Sequence, residues 1–345
     1  MAGPKVFSAA EMQNVMRTNW RVLAGAGLSI GATALVLWGM DWGALRNTLT
    51  GANYWWLLPF LALEVIVIWT RALRWRLMLE DRLSTARLFW ITNIGYLLNN
   101  VLPLRLGEVG RVYLVTRRST VGAMQGLSSV VVERLVDVLC LIALIFLLLP
   151  LVPGSVAFVA TGMTLSGVAM AGIALIFVAA HLHTIVEAGF TRVLSRVRPQ
   201  LAQALQQHLQ DFLASVRVIQ GRRLWLCLMW SVVTWTVSVA SMYVLMLAFD
   251  PNPKWFIGML ANCAIALGVA LPSAPAGLGL WEAATVAALT MAEVPAEMAL
   301  AFAILSHLAS FISLAVLGIA GLVIEGQSFG ELARSVRAFM PTPKQ

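Results

Sequence analysis

Six stretches of this chain, 21–40, 53–70, 124–149, 156–180, 224–249 and 297–323, stay apolar over a bilayer's depth, for which a helix needs about 20 residues. Nothing else in the sequence narrows the fold as much. In hydrocarbon every backbone N–H and C=O needs a partner, which restricts spans to helices or closed barrels. These runs lack strand alternation and read as helices. Composition agrees: 60% of the 345 residues are hydrophobic, 12% are charged and mean hydropathy is +0.83, whereas a soluble domain carries about 25% charged residues. The expected fold class is an all-α polytopic membrane protein.

Two further apolar runs, 88–101 and 255–270, are too short to cross. Each leads into a break. The first is Asn99-Asn100-Val101-Leu102-Pro103-Leu104-Arg105-Leu106-Gly107-Glu108-Val109-Gly110-Arg111, and the second runs from Leu271-Pro272 through Pro275, Gly277 and Gly279 to Trp281-Glu282. Irregular backbone and charge at membrane depth survive only where protein or water encloses them. A pair of interrupted apolar segments, one in each half, points to a transport site. The expectation is two re-entrant hairpins, 88–118 and 255–292, entering from opposite faces among six full spans in an inverted-repeat-like layout.

Charge sets the topology. The net charge of +8 comes from 24 Lys and Arg against 16 Asp and Glu. The cations gather in blocks: Arg71, Arg74, Arg76, Arg82 and Arg87, then Arg192, Arg196 and Arg198, then Arg334, Arg337 and Lys344. Such blocks mark cytoplasmic loops rather than a nucleic-acid surface. An even number of spans then places both termini in the cytoplasm. Residues 1–20 form a cytoplasmic N-terminal segment, 21–325 a single transmembrane domain whose first span stays as an anchor, and 326–345 a cytoplasmic tail. Within 199–220, Leu201, Leu205, Leu209, Phe212, Val216 and Ile219 recur at helical spacing. That amphipathic helix lies in the interface or packs under the bundle. Cys140, Cys227 and Cys263 are far apart, so neither a disulfide framework nor a metal site is expected. With no P-loop, nucleophile elbow or dinucleotide fingerprint, neither a cofactor nor covalent catalysis is expected.

The candidate chemistry lies at the breaks. Pro103 disfavours helix at Leu102, so a new helix arm starts near Gly107 with its free N–H groups and positive dipole end at depth. Arg105 and Arg111 add two guanidinium groups, which bind phosphate in a partly desolvated site. Glu108 caps the arm or balances Arg111, three residues on. The alternative is that Arg105, Glu108 and Arg111 only brace the break. Asn99, Asn100 and Tyr96 are neutral groups for the cavity wall. At the second break Gly277 and Gly279 permit close approach and positive φ. Glu282, in the first turn of the next arm, caps it, takes a proton, or pairs with Arg105 or Arg111 across the centre. Glu64, Glu133, Arg134, Asp137 and His307 are gating or proton candidates. Glu133 and Asp137 share one helix face and either act at depth or meet the headgroups at a span's cytoplasmic end. Arg71 reads as the basic border, and His307 relays protons or is a satisfied packing residue.

Three stretches, in order and spacing, carry a family resemblance: Leu102-Pro103-Leu104-Arg105-Leu106-Gly107-Glu108 with Arg111, then Val132-Glu133-Arg134-Leu135-Val136-Asp137, then Leu271-Pro272 with Pro275 to Glu282. Together they resemble the lysylphosphatidylglycerol synthase transmembrane family, the flippase-like integral membrane proteins, over about 21 to 325. The family pattern has Gly-Gly after the second proline, where this chain has Ala276-Gly277. In bifunctional members a soluble aminoacyl-transferase domain follows. The expectation here is the membrane region without that domain, hence lipid movement rather than lysyl transfer.

The reading that follows is a flippase or transporter of the bacterial inner membrane for a phosphate-bearing lipid, anionic or polyprenyl- or sugar-linked. Arg105 and Arg111 would hold the phosphate, and the acidic groups and His307 would gate. Its partners are membrane lipids, and its oligomeric state stays open. Two rivals remain: a non-catalytic partner of a lipid-modifying enzyme, docking through 199–220, and an intramembrane headgroup enzyme with Glu108 or Glu282 as base.

Overall fold

A computed structural model describes residues 25, 27–102, 106–152, 164, 167, 221–270 and 274–339. The described residues contain helices and no strand. Apart from Thr164 and Gly167, the expected span 156–180 lies outside them, as do the amphipathic helix 199–220, the segment 1–20, Pro103, Arg105 and Pro272.

Helix α1 (Gly27–Leu37) bends by 90° into α2 (Trp42–Gly51). The second piece fills the stretch between the expected spans 21–40 and 53–70. Its cause is local: Asp41 accepts hydrogen bonds from the Gly43 and Ala44 N–H groups at 2.8 and 3.0 Å, capping a new helix. A 3-10 turn at Tyr54–Trp56 leads into α3 (Leu57–Met78), which outruns the expected span by a further two turns. The first hairpin is α4 (Thr85–Val101) and α5 (Gly107–Arg118). Then come α6 (Ala123–Leu148), α7 (Arg222–Met246), the second hairpin of α8 (Ile257–Ala270) and α9 (Leu280–Met291), α10 (Ala296–Ile324) and α11 (Phe329–Phe339).

Among the described residues three helices are long and apolar enough to cross a membrane: Tyr54–Met78, Arg222–Met246 and Ala296–Ile324. The bent α1–α2 pair makes a fourth if it counts as one span. Helix α6 has the length, at 26 residues, but holds Glu133, Arg134 and Asp137, whose burial in lipid requires partners.

The core divides in two along the long helices. One cluster joins the second hairpin to the start of α3 (Phe60), the second half of α7 (Trp235, Met242, Leu245) and the start of α10 (Ala299, Phe302). The other joins the first hairpin to the end of α3 (Ile68, Trp75, Met78), the first half of α7 (Cys227) and the end of α10 (Leu322). The hairpins thus pack at opposite ends of the same three helices. They also meet: α4 touches the short Pro275–Gly277 turn between α8 and α9.

Small residues set these approaches. Gly318 and Gly321 of α10 lie against the Asn93 and Trp90 carbonyls of α4, and Gly258 of α8 against the Val239 carbonyl of α7. The tail is not free: Leu332 and Val336 of α11 are buried against the first hairpin's cluster. Glu325, at the end of α10, pairs with Arg87 at 3.1 Å and Arg118 at 3.6 Å.

Candidate functional site

The first hairpin closes where Gly107, the first residue of α5, meets Gly95 of α4. A methyl at Gly107 would run into the Gly95 carbonyl, and one at Gly95 into the Arg111 side chain. The Asn99 side chain accepts the Gly107 N–H at 2.8 Å. Asn99 therefore caps the arm instead of standing as a free donor in a cavity, and one of the helix-end donors expected for a ligand is already used.

Four guanidinium groups and three carboxylates join in one chain of ion pairs. Arg74 of α3 reaches Asp137 at 2.7 Å and Glu133 at 3.2 Å, both on α6. The second oxygen of Glu133 takes Arg111 of α5 at 2.7 Å. Arg111 also lies 3.7 Å from Glu108 and 4.1 Å from the centre of the Trp75 ring, a cation–π contact. Glu108 in turn receives Arg134 of α6. Asp137 closes the set, with Arg71 at 3.5 Å and Arg134 at 3.8 Å on one oxygen. Neutral donors finish it: Trp235 Nε1 donates to Asp137 at 3.3 Å, Arg74 donates to the Ser231 hydroxyl at 2.9 Å, and Arg71 to the Tyr96 hydroxyl at 3.3 Å.

Spacing explains the assembly. Arg71 and Arg74 on α3, Glu108 and Arg111 on α5, and Glu133 and Asp137 on α6 are each three or four apart, so each pair shares a face. The cluster has depth. Arg74, Glu133 and Arg111 have side chains 0%, 1% and 2% exposed, while Arg71, Glu108 and Arg134 reach 19%, 27% and 46%. A closed base thus carries an open rim of two guanidiniums and one carboxylate.

Three expectations change. Arg71 and Arg74 do not stand in a solvated basic loop; they turn inward, because the two carboxylates of α6 would otherwise be buried unpaired. Glu133 and Asp137 lie inside the bundle rather than among headgroups. Arg111 does not pair with Glu282, since Glu133 takes it. Sequence reasoning missed Arg74 and Ser231 as members of the cluster. The available signal was a count of charge at depth, since two acidic groups within α6 call for cations from another helix.

The second hairpin is built differently. Gly268 of α8 lies against the Leu280 carbonyl at the start of α9. The turn between them has positive φ at Ala276 (60°), Gly277 (79°) and Gly279 (82°). Gly279 is where the backbone of Ser29 in α1 comes close enough to exclude a Cβ. Glu282 caps α9 by accepting the Gly279 N–H at 2.8 Å. Its other oxygen lies 2.6 Å from His307 Nδ1, and His307 Nε2 lies 3.1 Å from the Ala276 carbonyl. Glu64 accepts from Ser241 at 2.9 Å and interacts electrostatically with Arg71 of the cluster. An apolar groove of ≈ 450 Å³ runs between α1 and this turn, past Ile30, Ala34, Leu37 and Leu278.

These elements match a known profile. The family described as "Lysylphosphatidylglycerol synthase TM region" covers residues 22–318. The chain belongs to that family. Among curated relatives it is 24% identical over 226 residues to a UPF0104 membrane protein of Methanocaldococcus jannaschii, spanning 64% of this chain and 91% of that protein. It is also 27% identical over 331 residues to "Glycosyltransferase AglD" of Haloferax volcanii, spanning 83% of this chain but 51% of that protein. The family and the apolar helices make this a multi-pass integral membrane protein of the lysylphosphatidylglycerol synthase transmembrane type. Both hairpins and the charged cluster fall inside the matched region.

Proposed function

We propose that this protein moves a lipid with a phosphate-bearing headgroup between the leaflets of a membrane. The observation that carries the proposal is the graded arginine cluster. Its base is fixed by buried pairs, and its rim offers the guanidiniums of Arg71 and Arg134 around Asp137. Four cations against three carboxylates leave one positive charge in excess among the described residues, suited to an anion. Arg105, two residues before α5, adds a further cation by sequence. The groove beside the second turn has room for part of an acyl or polyprenyl chain. A cargo from sugar-transfer chemistry, where a membrane-held sugar rides on a lipid phosphate, is favoured by the alignment with half of a protein named as a glycosyltransferase. In the full proposal six spans and two inverted hairpins lie in a bacterial plasma membrane, with both ends cytoplasmic.

The test is leaflet-to-leaflet movement in proteoliposomes, with a polyprenyl phosphate and the matching neutral polyprenol. The protein is expected to move the phosphate and leave the alcohol, with Arg105→Ala and Arg134→Gln slowing transfer about tenfold or more, the factor for one lost charged contact. Equal rates for both lipids, or for wild type and both variants, would remove the proposal.

A further inference from the structure

The Glu282–His307 couple belongs to no step of anion binding, yet its hydrogen bonds fix a proton count. A carbonyl oxygen only accepts, so the Ala276 carbonyl requires a hydrogen on His307 Nε2. Glu282 Oε2 is engaged with the Gly279 N–H. Between Nδ1 and Oε1, at 2.6 Å, one hydrogen must therefore lie. It belongs to an imidazolium facing a carboxylate or to a carboxylic acid facing a neutral ring. Without it two lone pairs oppose each other, and the contact cannot hold. The ring is clamped by Trp281, stacked at 4.7 Å and 9°, whose Nε1 donates to Ser306 at 3.2 Å. What the couple restrains is the turn with three consecutive or near-consecutive positive-φ residues, including a non-glycine.

We propose that Glu282 and His307 form a proton-binding site that latches the second hairpin's turn when loaded and releases it when empty. On release the Nδ1–H or Oε1–H bond breaks, its electron pair stays on that atom, and the proton leaves to water at Glu282, whose side chain is 17% exposed. The couple passes from neutral to one negative charge. Among the described residues no neighbour bonds to the couple beyond those named. Helices α1 and α8 carry no charged residue, and α8 only the buried thiol of Cys263; α9 carries only Glu282. Glu297 of α10 is about 15 Å along the helix from His307, and Arg46 of α2 has no ion pair to the couple among the described residues. Arg87 of α4 is held by Glu325, Tyr96 receives Arg71, and Glu64 receives Ser241. On α7, Arg222 and Arg223 lie in its first turn and Tyr243 near its end; none bonds to the couple. The inference rests on the transport reading only for what the turn's opening serves.

The full-length protein in lipid nanodiscs carries a spin label at Leu278→Cys, an exposed turn position, in a Cys140→Ser background. Label mobility is followed from about pH 5 to about pH 9. Wild type is expected to pass from restrained to mobile as pH rises, in one transition with the steepness of a single proton. Glu282→Gln offers an amide N–H to a neutral Nδ1 and an oxygen to Gly279, so the contact survives loss of the ring proton, and the variant is expected to stay restrained as pH rises. His307→Phe is expected to be mobile throughout. A flat wild-type profile, or a Glu282→Gln transition matching wild type, overturns the latch. The readout moves no lipid, so lost lipid transfer with an intact transition would count against the arginine site alone.

Discussion

In the first hairpin Gly107 at the start of α5 sits against Gly95 of α4; in the second, Leu280 at the start of α9 sits against Gly268 of α8. The two closures are alike in kind, a small residue letting one arm's backbone reach the other. Their electrostatics differ. The first hairpin is tied by Arg111 into a buried network with α3 and α6. The second is tied to α10 by one Glu–His couple, one carbonyl and the Trp281–Ser306 hydrogen bond, with no arginine among them. Opening the first breaks buried ion pairs, at about 3–5 kcal/mol for one lost partner. Opening the second breaks one hydrogen-bonded couple, at about 1–3 kcal/mol. By these ties the first hairpin is the more firmly held of the two.

The sharpest way to break this contrast is to cut each tie. Glu133→Ala leaves buried Arg111 with only the 3.7 Å contact to Glu108 and Arg74 with Asp137 alone among carboxylates, and is expected to cost about 3–5 kcal/mol, seen as a large fall in melting temperature in detergent. Glu282→Ala should cost less, about 1–3 kcal/mol; the reverse order would end the distinction. The shared closure is tested by Gly107→Ala and Gly268→Ala. Each forces a methyl into the opposite backbone and should lose about 1–3 kcal/mol. Ala276→Gly relieves a left-handed non-glycine residue at φ 60° and should gain about 1 kcal/mol. At the small end, Lys254 and Glu293 pair at 2.7 Å while exposed, and the lysine holds that carboxyl below its usual range. Lys254→Ala should leave the melting temperature unchanged, since that contact lies at the surface and in neither tie.

That helices break between 101 and 107 and between 270 and 280 was legible in the sequence, from Pro103 and Arg105 in one stretch and Pro272 to Glu282 in the other. The long helices followed from length and apolarity. The partners within the site were not legible, because helical spacing reports which residues share a face but not which face meets which. Arg71 and Arg74 looked like the edge of a basic loop, since residues 71–87 are dense in arginine. Only the packing of α3 against α6 and α7 turns them inward. His307 and Glu282 were each visible as odd groups at depth, but their meeting depends on how α9 docks on α10. The Ala276-Gly277 pair, a departure from the family's usual glycines, was visible in sequence; its positive φ at Ala276 is what makes the departure strained.

In the proposed mechanism the open rim of the arginine cluster receives a lipid's phosphate. The most direct measurement is thermal stabilisation of the purified protein by polyprenyl phosphate against polyprenol, for wild type and Arg134→Gln. The account predicts that only the phosphate raises the wild-type melting temperature, as a ligand of the folded state must, and that Arg134→Gln loses most of that rise. Equal shifts with the alcohol, or an undiminished shift in Arg134→Gln, would contradict it.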